Sequence, residues 1–89
     1  MKIRVGDRFK ADYLKLSDQE AKLAKDKIAL LQSDFRHPSL RTKKMKGEPG
    51  QLGIYRIRVT QSLRITFSIE GDTIFLRRIG GHDKTISSP

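Results

Sequence analysis

The apolar residues of this chain change their spacing near its middle, and this change constrains the fold more than any other feature. Between Ser17 and Phe35 they recur every three or four positions, which is the spacing of one helix face. From Ile54 onward they alternate with polar residues, which is typical of strands with one buried face. The sequence therefore predicts an α+β domain in which helices precede a sheet.

Two helices are predicted in the first half, after a short strand over Lys2–Val5. The first covers Asp7–Leu16, where apolar residues lie four and three positions apart. The second begins at a capping box, in which Ser17 and Glu20 satisfy each other's backbone N–H groups. We expect it to end near Phe35, because the proline three residues later disfavours helical geometry before it.

Three strands are predicted in the second half, over Ile54–Val59, Leu63–Ile69 and Thr73–Ile79. Short turns join them, so we expect an antiparallel meander, and the basic segment Ser39–Gly53 is predicted to be a loop. The helical hairpin needs an apolar sheet face to cover, so the architecture is a strand and two helices packed on a three-to-four-stranded antiparallel sheet. At 89 residues, we expect one domain over residues 1–89.

The second face of this sheet is predicted to carry Arg56, Arg58 and Arg64, because all three alternate with apolar residues. Guanidinium groups placed close together repel one another unless water or an anion lies among them. The chain has 19 Lys and Arg against 10 Asp and Glu, a net charge of +9, which is concentrated between Arg36 and Arg58. Nucleic acid, an acidic protein segment or an anionic surface are therefore the partners to consider.

Other classes of function are disfavoured by what the sequence lacks. There is no Cys for a disulfide, a zinc thiolate or a nucleophile, and no Gly-rich phosphate loop. No apolar run approaches the roughly 20 residues of a membrane helix, and the polar start is unlike a signal peptide. We expect a cytoplasmic protein with no membrane partner, no metal and no cofactor.

The two histidines and the tyrosines have different expected places. His82 follows two glycines at the exit of the last strand, where it is a candidate general acid or base near neutral pH. His37 precedes a proline and is predicted to lie in a loop or at the end of the second helix. Tyr13 and Tyr55 fall on apolar faces, so both are predicted to be core residues, and no base-stacking sheet is predicted.

Four stretches of the sequence together resemble a known family. They are His37–Gly47, Tyr55–Val59, Leu63–Phe67 and Gly80–Asp83, and they resemble the RelE/ParE superfamily of toxins from type II toxin–antitoxin modules. The resemblance is nearer to the RelE, YoeB and YafQ branch. It implies the RelE-like microbial RNase fold and a cognate antitoxin as partner, bound through an acidic segment.

The same resemblance implies an activity and roles for particular residues. Toxins of this branch are mRNA endonucleases that act on the ribosome without a metal, and the ribose 2′-hydroxyl attacks the adjacent phosphate. Arg64 then matches the arginine that stabilises the phosphorane, and His82 matches the acid for the leaving 5′-oxygen. The residues expected to hold the RNA are Arg56, Arg58, Arg41, Lys43, Lys44 and Lys46.

Two alternatives remain open at this point. The ParE branch shares the fold but inhibits DNA gyrase by binding to it. The third possibility is a catalytically silent module that binds only an antitoxin. It is suggested by the residues after His82, which include no aromatic residue where several members of the RelE branch carry one.

Overall fold

The computed structural model describes residues 1–45, 53–81, 85 and 89. Two helices and five strands form the described part, together with one turn of 3₁₀ helix. In chain order these are β1 (Lys2–Val5), α1 (Asp7–Tyr13), α2 (Asp18–Ser33), the 3₁₀ turn (Pro38–Leu40), β2 (Lys43–Lys44), β3 (Ile54–Arg58), β4 (Arg64–Glu70) and β5 (Thr73–Gly80). The predicted α+β class and the order of the elements are confirmed.

The sheet has one more strand than predicted, and it is mixed rather than antiparallel. Its order is β1-β5-β4-β3-β2, with β1 parallel to β5 and every other pair antiparallel. The loop prediction is wrong at Lys43 and Lys44, which pair with Arg56 and Tyr55. Both lysines are exposed and the strand has no apolar residue, so local periodicity could not reveal it.

The α2 stripe packs against one face of the sheet, as its spacing predicted. Ala24 and Leu31 are fully buried, and Ile28 and Phe35 pack against the same core. The sheet contributes buried residues of β3, β4 and β5, namely Ile57, Ile65, Phe67, Ile74, Leu76 and Ile79. The helices therefore occupy one face, and the polar residues of β3 and β4 are left on the other.

Local signals placed the starts of both helices and nearly the end of α2, but α1 ends at Tyr13, three residues before the predicted Leu16. The Ser17 hydroxyl accepts a hydrogen bond from the Glu20 N–H at 3.1 Å, and the Ser17 N–H donates to the Glu20 carboxylate at 3.0 Å. The predicted capping box is confirmed. Helix α2 ends at Ser33, two residues before the expected Phe35. No helix in the described part of the chain is long and apolar enough to cross a bilayer.

A buried ion pair joins α1 to β5, and the sequence did not indicate it. The register between β4 and β5 shifts by one residue, so that Thr66 pairs with Arg78 and Phe67 with Leu76. The Arg78 Nε lies 2.6 Å from an Asp12 oxygen, and the Ile79 N–H donates to the same oxygen at 3.2 Å. Asp12 thereby accepts the hydrogen bond of a β5 N–H group that lies beyond the last residue of β5 paired with β1.

Candidate functional site

Three arginines share one face of the sheet because of the register between β3 and β4. Arg58 lies directly opposite Arg64, and Arg56 lies opposite Thr66 on the same face. All three arginines are half-buried. The structure therefore brings together Arg56, Arg58 and Arg64 on the face that does not carry the helices, as the alternation predicted.

The Arg64 guanidinium is held by the hairpin that precedes it. Its Nη1 donates to the carbonyl oxygens of Thr60 and Leu63, at 2.5 Å and 3.3 Å. The Thr60 hydroxyl in turn accepts from the Ser62 and Leu63 N–H groups, at 3.3 Å and 3.1 Å, which fixes the turn. The guanidinium is thus oriented before any ligand arrives. Its other nitrogens make no hydrogen bond among the described residues and can donate to a partner.

Repulsion and burial act together on Arg64. Burial lowers the pKa of its guanidinium below the ordinary value, and the nearby charges of Arg58 and then Arg56 lower it further. Among the described residues the ion pairs join Lys2 to Asp72 and Arg78 to Asp12, so none of those carboxylates neutralises this face. A bound anion would relieve the repulsion.

The arginines line a depression that we call the basic cleft. Its volume is about 380 Å³, and its polar lining residues are Arg41, Thr42, Lys43, Arg56, Arg58 and Arg64. Lys43 reaches it because β2 pairs it with Arg56, on the same face. Arg41 has a left-handed backbone, with φ of 50°, as the residue that ends the 3₁₀ turn. The cleft therefore gathers five cations, namely Arg64, which was predicted to stabilise the phosphorane, and four of the residues predicted to hold the RNA.

The remaining predicted site residues are not gathered in the basic cleft. Lys44 pairs with Tyr55, so it belongs to the other side of β2. Lys46 and His82 lie outside the described residues. Gly80, the last residue of β5, lies opposite Arg64 and precedes His82 by two positions in the sequence. No three His, Cys, Asp or Glu side chains of the described ranges cluster as metal ligands would.

Lys44 lines a second depression of about 390 Å³, which we call the aromatic cleft. Its lining includes Phe35, His37, Arg41, Thr42, Lys44 and Tyr55. The interpretation of Tyr55 as a core residue was incomplete, because the half-buried ring packs on the core and also borders this cleft. His37 does not end α2: it precedes the 3₁₀ turn, where its Nδ1 accepts from the Ser39 N–H at 3.2 Å.

Comparison with known proteins places the fold. No protein-family model matches the sequence, and no curated protein matches it by sequence. Solved structures do match. The YoeB/ParE toxin from Agrobacterium tumefaciens is 16% identical with a TM-score of 0.78, over 92% of this chain and 99% of that one. YafQ from E. coli strain BL21(DE3) is 13% identical with a TM-score of 0.76, over 94% and 96%.

A somewhat higher identity is found in an antitoxin–toxin complex. The toxin chain of the RelB–RelE antitoxin–toxin complex from Methanococcus jannaschii is 26% identical, with a TM-score of 0.72, over 93% of this chain and 94% of that one. These structures cover nearly all of the chain and share its arrangement of helices and sheet. The chain therefore has the fold of the RelE/ParE superfamily toxins, which confirms the resemblance that its sequence motifs carry.

Proposed function

We propose that this chain is a single-domain toxin of a type II toxin–antitoxin module, and that it cleaves mRNA on the ribosome, in the cytoplasm, without a metal. The observation that carries the proposal is the basic cleft. Four guanidinium groups and one lysine ammonium group line it, and no described carboxylate pairs with them. A polymer of phosphodiesters is the ligand that this arrangement fits best.

The chemistry of RNA cleavage explains why such a cleft is useful. The ribose 2′-hydroxyl gives up its proton to water as its oxygen attacks the adjacent phosphorus, the bond to the 5′-oxygen breaks, and a 2′,3′-cyclic phosphate remains. Negative charge grows on the equatorial phosphate oxygens as this happens, so fixed cations lower the barrier. Arg64 is suited to this because the Thr60 and Leu63 carbonyls hold its guanidinium in place. Arg56 and Arg58 then bind the flanking phosphates.

The leaving 5′-oxygen also needs a proton, and His82 is our candidate for its donor. His82 follows Gly80 by two positions in the sequence. Gly80 lies opposite Arg64 in the sheet. An imidazole can both hold and release a proton near neutral pH, which the Arg and Lys side chains of the basic cleft do not do.

We further propose that an antitoxin binds a different surface, an apolar groove on the helical side of β1. The groove has a volume of about 450 Å³ and is bordered by Ile3, Val5, Phe9, Tyr13, Leu14 and Ile28, with Lys10 and Lys25 beside them. Leu14 is 84% exposed, although it is apolar. An amphipathic acidic segment would cover these side chains and pair with the lysines. Structures with this fold include the intact RelBE toxin–antitoxin complex of E. coli.

The decisive experiment is cleavage of mRNA on a translating ribosome, mapped by primer extension. We expect new mRNA ends with the unchanged protein, and a loss of about 100-fold or more in rate for Arg64→Ala and for His82→Ala. Arg4→Gln removes an equal charge from an exposed site on β1 and serves as the matched control, with no change expected.

Other outcomes would select an alternative. Absence of new mRNA ends together with inhibition of supercoiling by purified gyrase would replace the proposal with the ParE-type function. Tight antitoxin binding without either effect, and without growth arrest on expression, would leave a silent binding module. Cleavage that persists in the Arg64→Ala, His82→Ala double variant would contradict the assigned roles.

A further inference from the structure

We infer that the aromatic cleft binds the base of an RNA nucleotide that flanks the phosphates held in the basic cleft. The inference rests on the proposed function, because it concerns how the same RNA strand continues. It adds a subsite that reads a base, whereas the basic cleft contacts only phosphates.

The two clefts adjoin each other at β2, the edge strand of the sheet. Arg41 and Thr42 line both of them. Beyond this shared wall, Lys43 lines the basic cleft and Lys44 lines the aromatic cleft. An RNA strand that leaves the basic cleft past Arg41 therefore crosses the sheet edge and meets the aromatic cleft next.

The aromatic cleft offers what a stacked base requires. Three half-buried rings border it, those of Phe35, His37 and Tyr55. The guanidinium carbon of Arg36, which also lines this cleft, lies 5.4 Å from the centre of the Phe35 ring. Rings and guanidinium planes stack on any base, and Lys44 supplies a cation for the adjoining phosphate.

The rings are held in place by contacts that need no ligand. Tyr55 stacks on Phe67, with 5.6 Å between ring centres and 18° between planes. The Thr42 hydroxyl donates to the Phe35 carbonyl oxygen at 2.8 Å, which ties the end of α2 to the start of β2. A preformed cleft loses little side-chain freedom on binding, so stacking there contributes more fully to affinity.

Polar groups for the edge of a base are also present. The His37 Nδ1 accepts from the Ser39 N–H at 3.2 Å and lies 2.9 Å from the Ser39 hydroxyl. A neutral His37 ring therefore carries its proton on Nε2, where it is a donor. The Tyr55 hydroxyl, on a half-buried side chain, makes no hydrogen bond among the described residues and can bind a ligand as well. An acidic peptide would use the cations of this cleft but leave the ring faces without a partner.

The test compares RNA with and without one base. A fluorescein-labelled single-stranded RNA of five nucleotides is titrated with the full chain at low salt, by anisotropy, beside RNAs in which each position in turn is abasic. We expect one position at which base removal raises Kd by about tenfold. The variant His37→Asn, Phe35→Leu should bring that ratio below twofold. Asn is a good capping residue and Leu keeps apolar volume, so both are chosen to preserve the fold.

Each result decides the question. Equal Kd for intact and abasic RNA at every position would overturn the inference while leaving RNA binding intact. Absence of binding to all of these RNAs would also overturn the inference, and the ribosome cleavage assay then decides the proposed function separately. An acidic peptide of five Glu residues that binds the unchanged chain but not the variant, with no base effect in RNA, would assign the cleft to protein instead. If the variant does not fold, NMR of the unchanged chain replaces it. The amide signals of Ser39 and Thr42 should then shift on addition of intact RNA and not on addition of the abasic RNA. Equal shifts with the two RNAs would overturn the inference.

Discussion

Asp12 ties the first helix to the last strand, and its removal should destabilise the protein more than loss of a surface charge. The carboxylate pairs with Arg78 and accepts from the Ile79 N–H, and only 5% of Asp12 and 9% of Arg78 is exposed. We expect Asp12→Ala to lower the free energy of unfolding by about 3–5 kcal/mol, because it removes the carboxylate from a buried ion pair. Urea denaturation measures the change.

Two further variants serve as controls for this prediction. Asp26→Ala removes an exposed carboxylate from α2 and should change stability by no more than about 0.5 kcal/mol. The double variant Asp12→Leu, Arg78→Met should lose less than Asp12→Ala, since it leaves no charge buried alone. A loss below about 1 kcal/mol for Asp12→Ala would show that the pair does not hold α1 in place.

Arg41 lies between the two clefts in a strained backbone conformation, and we expect this strain to lower stability while the side chain serves RNA binding. Its φ of 50° lies in the left-handed region, which costs a residue with a Cβ about 1 kcal/mol. Arg41→Gly should therefore leave the melting temperature unchanged or raise it, yet weaken RNA binding by about tenfold through loss of the guanidinium. Thermal unfolding and anisotropy measure the two effects.

Arg41→Ala is the matched comparison for Arg41→Gly. It removes the same guanidinium but keeps a Cβ in the left-handed conformation, so we expect the same loss of RNA affinity with a lower melting temperature than the glycine variant. Equal RNA affinity in the unchanged chain and in both variants would remove Arg41 from the binding surface.

At the scale of elements, the capping box fixes where α2 begins. Ser17→Ala removes the acceptor for the Glu20 N–H, so we expect a loss of about 1 kcal/mol. For a domain of this size, that corresponds to a fall of about 4–8 °C in melting temperature. Calorimetry measures it. Ser17→Asp keeps an acceptor at the same place and should stay close to the unchanged chain. If the melting temperature of Ser17→Asp falls as far as that of Ser17→Ala, the Ser17 hydroxyl does not act as a helix cap.

The edge strand β2 combines two tasks that usually conflict. Its backbone extends the sheet by pairing with β3, and its two exposed lysines discourage a further strand from adding to the edge. The same lysines line the two clefts, one each. A strand of two residues with such side chains protects the sheet edge and leaves it free for a polyanion.

At the scale of the whole molecule, the charge of +9 should appear as a strong dependence of RNA binding on salt. If the five cations of the basic cleft each displace one counterion from the RNA, the slope of log K against log salt is about −3.5. Titrations at a series of potassium chloride concentrations measure it. Arg56→Gln should reduce the magnitude of the slope by about 0.7, and Arg4→Gln should leave it unchanged. A slope near zero would mean that phosphates do not occupy the cleft.

The proposed partners use separate parts of the molecule. The basic cleft lies on the sheet face away from the helices, and the apolar groove lies among β1, α1 and α2. Antitoxin binding at the groove therefore leaves the basic cleft open unless the bound segment extends to it. The length of the bound antitoxin segment therefore decides whether the antitoxin inhibits the toxin by covering the arginines of the basic cleft directly.

What the sequence determined by itself is local. Periods of 3.6 and 2 residues depend on neighbours along the chain, so they located α2, β3, β4 and β5 and put Arg56, Arg58 and Arg64 on one face. The capping box and the turn at Gly71, whose φ is 60°, are local for the same reason.

The tertiary structure decided what depends on residues far apart in the chain. Parallel pairing of β1 with β5, the two-residue strand β2 and the buried pair of Asp12 with Arg78 have no local signature, because each is stabilised by contacts between distant segments. The aromatic cleft is of the same kind, since the end of α2 and the start of β2 meet Tyr55 only after the sheet has formed. Alternation could tell that Tyr55 faces the apolar side, but only packing decides how much of its ring the helices leave uncovered.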